Sequence, residues 1–371
     1  MMNIESIMQD LLEKRKQSGT YRSLKILDSK AHDFTSNDYL GLAKIDFLSG
    51  EDHSFIDNGA GGSRLLSGNK AYHVEAEAFM ADYFNAKSCL LFNSGYVANL
   101  GLLSSVPQKG DAILMDELSH ICIKEGARLS RASHFNFRHN DVSDLEKKLN
   151  TVNANNIFIV VESIYSMDGD EALLANIVEL AKKYNANVIV DEAHSTGLLS
   201  NDGSGLCCQL GIEKEVFARV YTFGKAMGAH GAVVAGSEIL KSYLINYSRQ
   251  FIYTTSLPYH SIQIIIKAIN YRKLNSELWK SLQDKIEKFR NQLNEEINLL
   301  ESNHPIQGVI TGSSENAIRL ANFLQEKGFD IRPIVSPTVP LHQERVRICL
   351  HAFNTDESID ELCRQLNQYY S

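Results

Sequence analysis

No apolar run in this 371-residue chain approaches the roughly 20 residues that a membrane-spanning helix needs. No C-x-x-C pair occurs among the six cysteines at 89, 122, 207, 208, 349 and 363, and the adjacent Cys207 and Cys208 cannot easily bridge each other. A reduced, cytoplasmic protein is expected. The stretch from Met1 to Lys25 carries scattered charge and lacks an apolar core segment, so no secretory leader is expected. Positive charge is in deficit: 37 Lys and Arg against 45 Asp and Glu leave a formal charge of -8. That balance disfavours broad binding to a nucleic-acid backbone. A G-x-x-x-x-G-K-[ST] phosphate loop is also missing, and this decides the reading of Asp191-Glu192-Ala193-His194, which spells the acidic box of a helicase. At Gly224-Lys225 the position five before the glycine is Arg219 and the residue after the lysine is Ala226, so the helicase reading fails. No low-complexity linker, internal repeat or metal-ligand spacing is evident.

What is present suits a globular chain with a large core: 44% apolar and 22% charged residues. Ile4, Ile7, Met8, Leu11 and Leu12 recur at helical spacing, with a stop expected at Ser18-Gly19. From about Ser88, short runs apolar at nearly every position alternate with helix-length stretches. The runs are Cys89–Phe92, Ala112–Met115, Ile157–Val161, Val188–Val190, Val220–Phe223 and Ala232–Ala235. Such runs predict strands buried on both faces, hence an α/β domain with a mostly parallel central sheet flanked by helices. After Ser256-Leu257-Pro258 a helical pattern runs, with breaks, to about Glu301. A helix at 315–328, strands at 330–335 and 346–350 and a helix at 356–370 follow, predicting a smaller α+β unit. The expected division is an N-terminal helix and access segment at 1–45, a large domain at 46–270 and a small C-terminal domain at 271–371.

Ligands of such sheets bind beyond the carboxyl ends of the strands. Asp191 and Lys225 both follow strand candidates there, so one cleft can hold both. A lysine amine flanked by Gly224 and Gly228, paired with a strand-end carboxylate, suits pyridoxal phosphate (PLP): the amine forms the Schiff base, and the carboxylate keeps the ring nitrogen protonated. Thr222 offers a hydroxyl to a phosphate oxygen, and His194 a partner for the phenolic oxygen. Ser94, Gly95 and Tyr96 start a helix after a strand, where exposed amides favour phosphate. His120, after Leu118-Ser119, can stack on a flat ring and still move protons. The glycine-dense segment Gly59–Gly68 lacks dinucleotide spacing and reads as a turn or as a loop lining a substrate pocket.

Together these motifs resemble the α-oxoamine synthases, a PLP-dependent family of fold type I. The shared motifs run in the family's order from Ser36-Asn37-Asp38-Tyr39-Leu40-Gly41-Leu42 through Gly59-Ala60-Gly61-Gly62-Ser63-Arg64, Leu118-Ser119-His120 and Tyr165-Ser166-Met167-Asp168-Gly169. They continue with Asp191–Gly197, Thr222-Phe223-Gly224-Lys225, Ile252-Tyr253-Thr254-Thr255-Ser256 and end at Arg347. The resemblance implies the Schiff-base role for Lys225, the ring-nitrogen role for Asp191, and stacking by His120 with Ser166 beside it. It also implies that Thr254 and Thr255 reach the phosphate from a second subunit, which makes an obligate homodimer with shared sites. Arg347 would grip the amino-acid carboxylate with its planar fork, and Asn37, Thr338 and Arg22 would line the substrate access. Where the family commonly has Asp and Gly, this chain has Glu192 and Ser195. The implied reaction is a decarboxylative condensation of an amino acid with an acyl thioester. Ser63 leaves more room than the threonine of a glycine-specific sibling, which favours an amino acid with a β-carbon over glycine. A non-catalytic relative would be expected to lose its lysine, and Lys225 is present.

Overall fold

The structure, a computed structural model, describes residues 3–17, 20–24, 26, 30–50 and 57–371. The expected stop at Ser18-Gly19 lies outside the described residues. Helix α1 (Ile4–Gln17) forms as the spacing predicts, with none of its residues buried in the single chain. Close contacts divide the chain into two units, 37–166 with 170–282, and 1–36 with 167–169 and 283–371.

The larger unit is built on seven strands: β1 (Ser88–Phe92), β2 (Ala112–Asp116), β3 (Ser133–Phe137), β4 (Ile157–Glu162), β5 (Asn187–Asp191), β6 (Ala218–Thr222) and β7 (Ala232–Gly236). Their order is β1-β7-β6-β5-β4-β2-β3. The antiparallel pairs are β1 with β7 and β7 with β6; every other pair is parallel. Helices α2 (Ala71–Tyr83), α3 (Gly95–Ser105), α4 (Ile121–Leu129), α5 (Val142–Thr151) and α6 (Leu174–Lys183) flank the sheet, together with shorter segments. Parallel strands need such crossovers, and covering both faces explains why the strands read as unbroken apolar runs. Leu90, Ile113, Val160, Ile189, Val220 and Val234 pack into one core with Leu102 and Ile123 of the helices. Each such side chain contributes roughly 1.5–3 kcal/mol by leaving water.

Two departures from the expected strands have physical causes. β3 carries Ser-His-Phe-Asn-Phe and is exposed at four of its five positions, because it is an edge strand with no apolar run to betray it. β6 begins two residues early and includes buried Arg219, whose guanidinium donates to the Phe84 carbonyl and the Tyr221 hydroxyl at 2.8 Å each. Those bonds offset the cost of burying the charge.

In the smaller unit, β8 (Ile306–Ile310), β9 (Arg332–Ile334) and β10 (Arg345–Cys349) form an antiparallel sheet in the order β9-β10-β8. The expected helix to Glu301 ends instead at Gln292. Beyond it Leu300 N–H donates to the Gly308 carbonyl and Ile310 N–H to Asn298, so this stretch lies along β8. The expected strand at 330–335 is split: Phe329–Asp330 pairs with His32–Asp33, and β9 pairs with β10. Among the described residues, no helix is long and apolar enough to cross a membrane.

Candidate active site

The carboxyl ends of the parallel strands carry the chemistry. Glu162 ends β4 and Asp191 ends β5, and the two are in register. Thr222 ends β6, and the turn after it presents Lys225, closed by Gly228 N–H to the Lys225 carbonyl at 2.8 Å. Gly228 has φ +59, and a Cβ there would come within 2.1 Å of the Ala43 nitrogen. A glycine is therefore required for the Leu42-Ala43 backbone to pack on the lysine turn. The same N-terminal motif reaches the histidine: the Tyr39 hydroxyl donates to Asn37 Oδ1 at 3.0 Å and lies 2.8 Å from His194 Nδ1.

One cavity of about 150 Å³ is lined by Gly95, Tyr96, His120, Asp191, His194, Thr222 and Lys225, with Asn99, Cys122, Glu162 and Ala193. Seven residues singled out in the sequence thus meet in one place. Ser94, Ser166, Thr254 and Thr255 are not among its lining residues. Ser94 caps α3 by accepting from Val97 N–H. Asn93 donates to Thr254 Oγ1 at 3.2 Å and to the Thr255 carbonyl at 3.0 Å, and Thr254 lines a second small cavity with Arg64 and His73. Ser256 N–H donates to the Gly62 carbonyl, joining this segment to the loop that holds Ser63. Arg22, Thr338 and Arg347 belong to the smaller unit. Arg22 is exposed, Thr338 N–H donates to the Val335 carbonyl, and Arg347 sits in β10 with its guanidinium 2.9 Å from Cys349 Sγ.

Asp191 is held from two sides. Asn99 donates to Oδ2 at 2.7 Å and Ala193 N–H to Oδ1 at 3.0 Å. Burial raises the Asp191 carboxyl, against the opposite pull of Lys225, His120 and the Asn99 bond. Burial, with the Asp191 charge beside it, pushes the Glu162 carboxyl up to about 8. Sequence reading missed Glu162 and Asn99. A signal for each was there: Glu162 closes an apolar run as Asp191 does, and Asn99 lies one helical turn beyond Gly95.

The two positions that depart from the family pattern touch each other. Ser195 Oγ donates to buried Glu192, whose carboxylate also accepts from Leu206 N–H at 2.9 Å and Cys207 N–H at 2.7 Å. Glu192→Ala orphans these buried donors and is expected to destabilise the protein by roughly 2–5 kcal/mol, whereas Glu192→Gln, which keeps an acceptor, costs less. Thermal unfolding of the two variants checks this.

Two carboxylates clamp His139 in the same unit. His139 Nδ1 faces Asp116 Oδ1 at 3.0 Å and Nε2 faces Asp170 Oδ2 at 2.8 Å, so both ring nitrogens donate and the ring is an imidazolium. Burial opposes this charge, but the two carboxylates override it and raise His139 to about 10. The folded pKa exceeds the unfolded value near 6.5, so the clamp's contribution is complete below about pH 6.5 and is lost as pH rises toward 10. His139→Ala should therefore lower the unfolding midpoint more at pH 6 than at pH 10.

The model of the family "Aminotransferase class I and II" matches residues 29–366. The chain belongs to this family. Within the aminotransferase class I and II proteins, it is 41% identical to the 8-amino-7-oxononanoate synthase of Emericella nidulans, over 96% of this chain and 93% of that one. It superposes on a solved serine palmitoyltransferase from S. paucimobilis, a variant with bound PLP-myriocin aldimine, with a TM-score of 0.89 and 26% identity over 97% and 96% of the two chains. The 8-amino-7-oxononanoate synthase of Francisella tularensis gives 0.77 and 28% identity over 92% and 98%. The fold is that of the fold-type I PLP transferases.

The residues present fit PLP. The first-turn amides of α3 lack intrahelical acceptors, as at any helix start, and Gly95 lets them sit against Thr222: a Cβ there would be 3.3 Å from Thr222 Cβ. Buried Asn99 Oδ1 has no hydrogen-bond partner among the described residues. A lysine, a buried carboxylate and a histidine share the cavity with that helix start.

Proposed function

We propose that this chain is a PLP-dependent 8-amino-7-oxononanoate synthase. It condenses L-alanine with a pimeloyl thioester, pimeloyl-CoA or the pimeloyl-carrier protein, giving 8-amino-7-oxononanoate, CO2 and the free thiol, a step of biotin biosynthesis. The convergence of Lys225, Asp191, His194 and His120 on one cavity carries the reading. The full-length relative at 41% identity supports this particular synthase. So do the segments Gly61–Gly68, Thr222–Gly228 and Ser336–Pro340, which resemble that enzyme's.

PLP, when bound, supplies an electron sink for the α-carbon of the amino acid. The chain's residues do the rest. Lys225 Nζ would hold the cofactor between turnovers and take the α-proton as general base. The Asp191 carboxylate would keep a proton on the pyridine nitrogen. His194 would bond the phenolic oxygen, while Ser94, Gly95, Tyr96 and Thr222 would take the phosphate. His120 would cover the ring, with Ser166 beside it, and polarise the thioester carbonyl. Arg347 binds the substrate carboxylate, and Asn37, Ser63, Thr338 and Arg22 line the access route. Thr254 and Thr255 complete the phosphate site of the partner subunit of a cytoplasmic homodimer; their absence from this chain's own cavity lining supports that assignment.

The likeness to serine palmitoyltransferase keeps a second reading open to test, an α-oxoamine synthase using serine or glycine with another acyl-CoA. A screen of alanine, glycine, serine and threonine against acyl-CoAs of varied length separates the two. Thiol release with alanine and pimeloyl-CoA is expected; preference for glycine, serine or a long acyl chain would reassign the reaction.

A further inference from the structure

His120 is the N-cap of α4, and its ring is engaged by the residue two positions on. Cys122 N–H lies 3.2 Å from His120 Nδ1, and Cys122 Sγ lies 2.9 Å from the same nitrogen. An amide N–H can only donate, so Nδ1 must present its lone pair. A neutral imidazole with that lone pair carries its proton on Nε2. The thiol is the nearer of the two groups, and as an S–H donor it selects the same tautomer. Cys122 is 2% exposed, and burial drives its thiol pKa upward, so it stays protonated and able to donate. The backbone of His120 is fixed as well: its N–H donates to Glu162 Oε1 at 2.5 Å.

We propose that Cys122 is a positioning residue, holding His120 through its backbone N–H, with the thiol beside it, in the neutral tautomer protonated on Nε2, so that the ring offers an N–H donor rather than a lone pair to the reacting groups. The inference deepens the proposed function and rests on it for the identity of those groups. The tautomer itself rests on this chain's geometry alone. A donor is what polarising a thioester carbonyl demands, whereas a ring protonated on Nδ1 would aim a lone pair at that oxygen. The surroundings agree. Partial burial lowers the His120 pKa; Lys225 and Lys124 reinforce this, and Asp191 opposes it. Glu162 adds a carboxyl at the backbone side of the residue. The first turn of α4 also disfavours a positive ring.

The test uses the full-length protein and its Cys122→Ala, Cys122→Ser and Cys122→Pro variants. Nitrogen-15 spectra of labelled histidine, with His120 assigned by the signal lost in His120→Asn, read the tautomer directly, with or without PLP. Wild type and Cys122→Ser, whose hydroxyl also donates, should show the Nε2–H form. Cys122→Ala keeps the amide donor and should keep the Nε2–H form; Cys122→Pro, which removes that N–H in the first turn of the helix, should gain the Nδ1–H form and show about a 3- to 10-fold fall in kcat with little change in the KM for the amino acid, a loss of one hydrogen bond. An Nδ1–H ring in wild type or Cys122→Ala, or an unchanged tautomer in folded Cys122→Pro, overturns the proposal. If the protein takes up no PLP, the functional reading fails, while the tautomer spectra still decide this inference.

Discussion

Lys225→Ala is expected to lower kcat by at least about 10³-fold while the protein still folds. The lysine lies in a half-buried turn after β6, and the turn is closed by backbone bonds that do not involve its side chain, Gly228 N–H to the Lys225 carbonyl and Ala229 N–H to the Phe223 carbonyl. Truncation therefore leaves the local frame intact, and the unfolding midpoint should move little. The chemistry has no substitute: among the residues lining the cavity, Lys225 is the one amine. The change also removes the cation that favours ionisation of Asp191 and Glu162, so both carboxyls should shift further upward. Steady-state kinetics with alanine and pimeloyl-CoA, beside a thermal melt, checks both halves. A variant that folds and keeps a tenth of wild-type turnover would remove Lys225 from the reaction.

Asp191→Asn should separate activity from stability. The substitution keeps the shape and one acceptor for Ala193 N–H. The new amide hydrogens can be accepted by Asn99 Oδ1, which is buried and without a partner among the described residues, once that side chain turns over. Burial raises the carboxyl of Asp191 in the folded protein. A group with a raised folded pKa loses stability as pH climbs past its unfolded value, so at neutral pH the buried carboxylate is a cost. The PLP-free variant should melt at or above the wild-type temperature near pH 7. Its kcat should fall about 10²- to 10³-fold, because an amide cannot keep a pyridine nitrogen protonated. Such a pairing, a more stable and nearly inactive protein, marks a residue placed for chemistry. A variant that melts well below wild type would mark Asp191 as structural.

Lys225 and Asp191 were legible in the sequence because short, mostly apolar runs precede them, and such runs end where ligands bind in a parallel sheet. Glu162 ends a strand in the same way, yet the run is apolar up to Val161 and a final glutamate reads as the first solvated residue; its burial comes from β5 and α4. Asn99 has only its place one helical turn beyond Gly95 to mark it, since its carboxylate partner is 92 residues away. The β3 edge was invisible because four of its five residues face outward. Arg219 shows the converse: a cation ordinarily marks surface, but here carbonyl and hydroxyl acceptors let it sit inside a strand. The split of 329–334 between two partners depends on residues 32–33, far off in the chain. Local periodicity carries no information about such pairings.

The proposed function requires Lys225 to be the attachment point for PLP. Incubating the full-length protein with PLP, reducing with borohydride and mapping the digest by mass spectrometry tests it directly. One modified peptide is expected, with the phosphopyridoxyl group on Lys225, and none from Lys225→Ala. A label on another lysine, or no stable label on the folded wild-type protein, would contradict it.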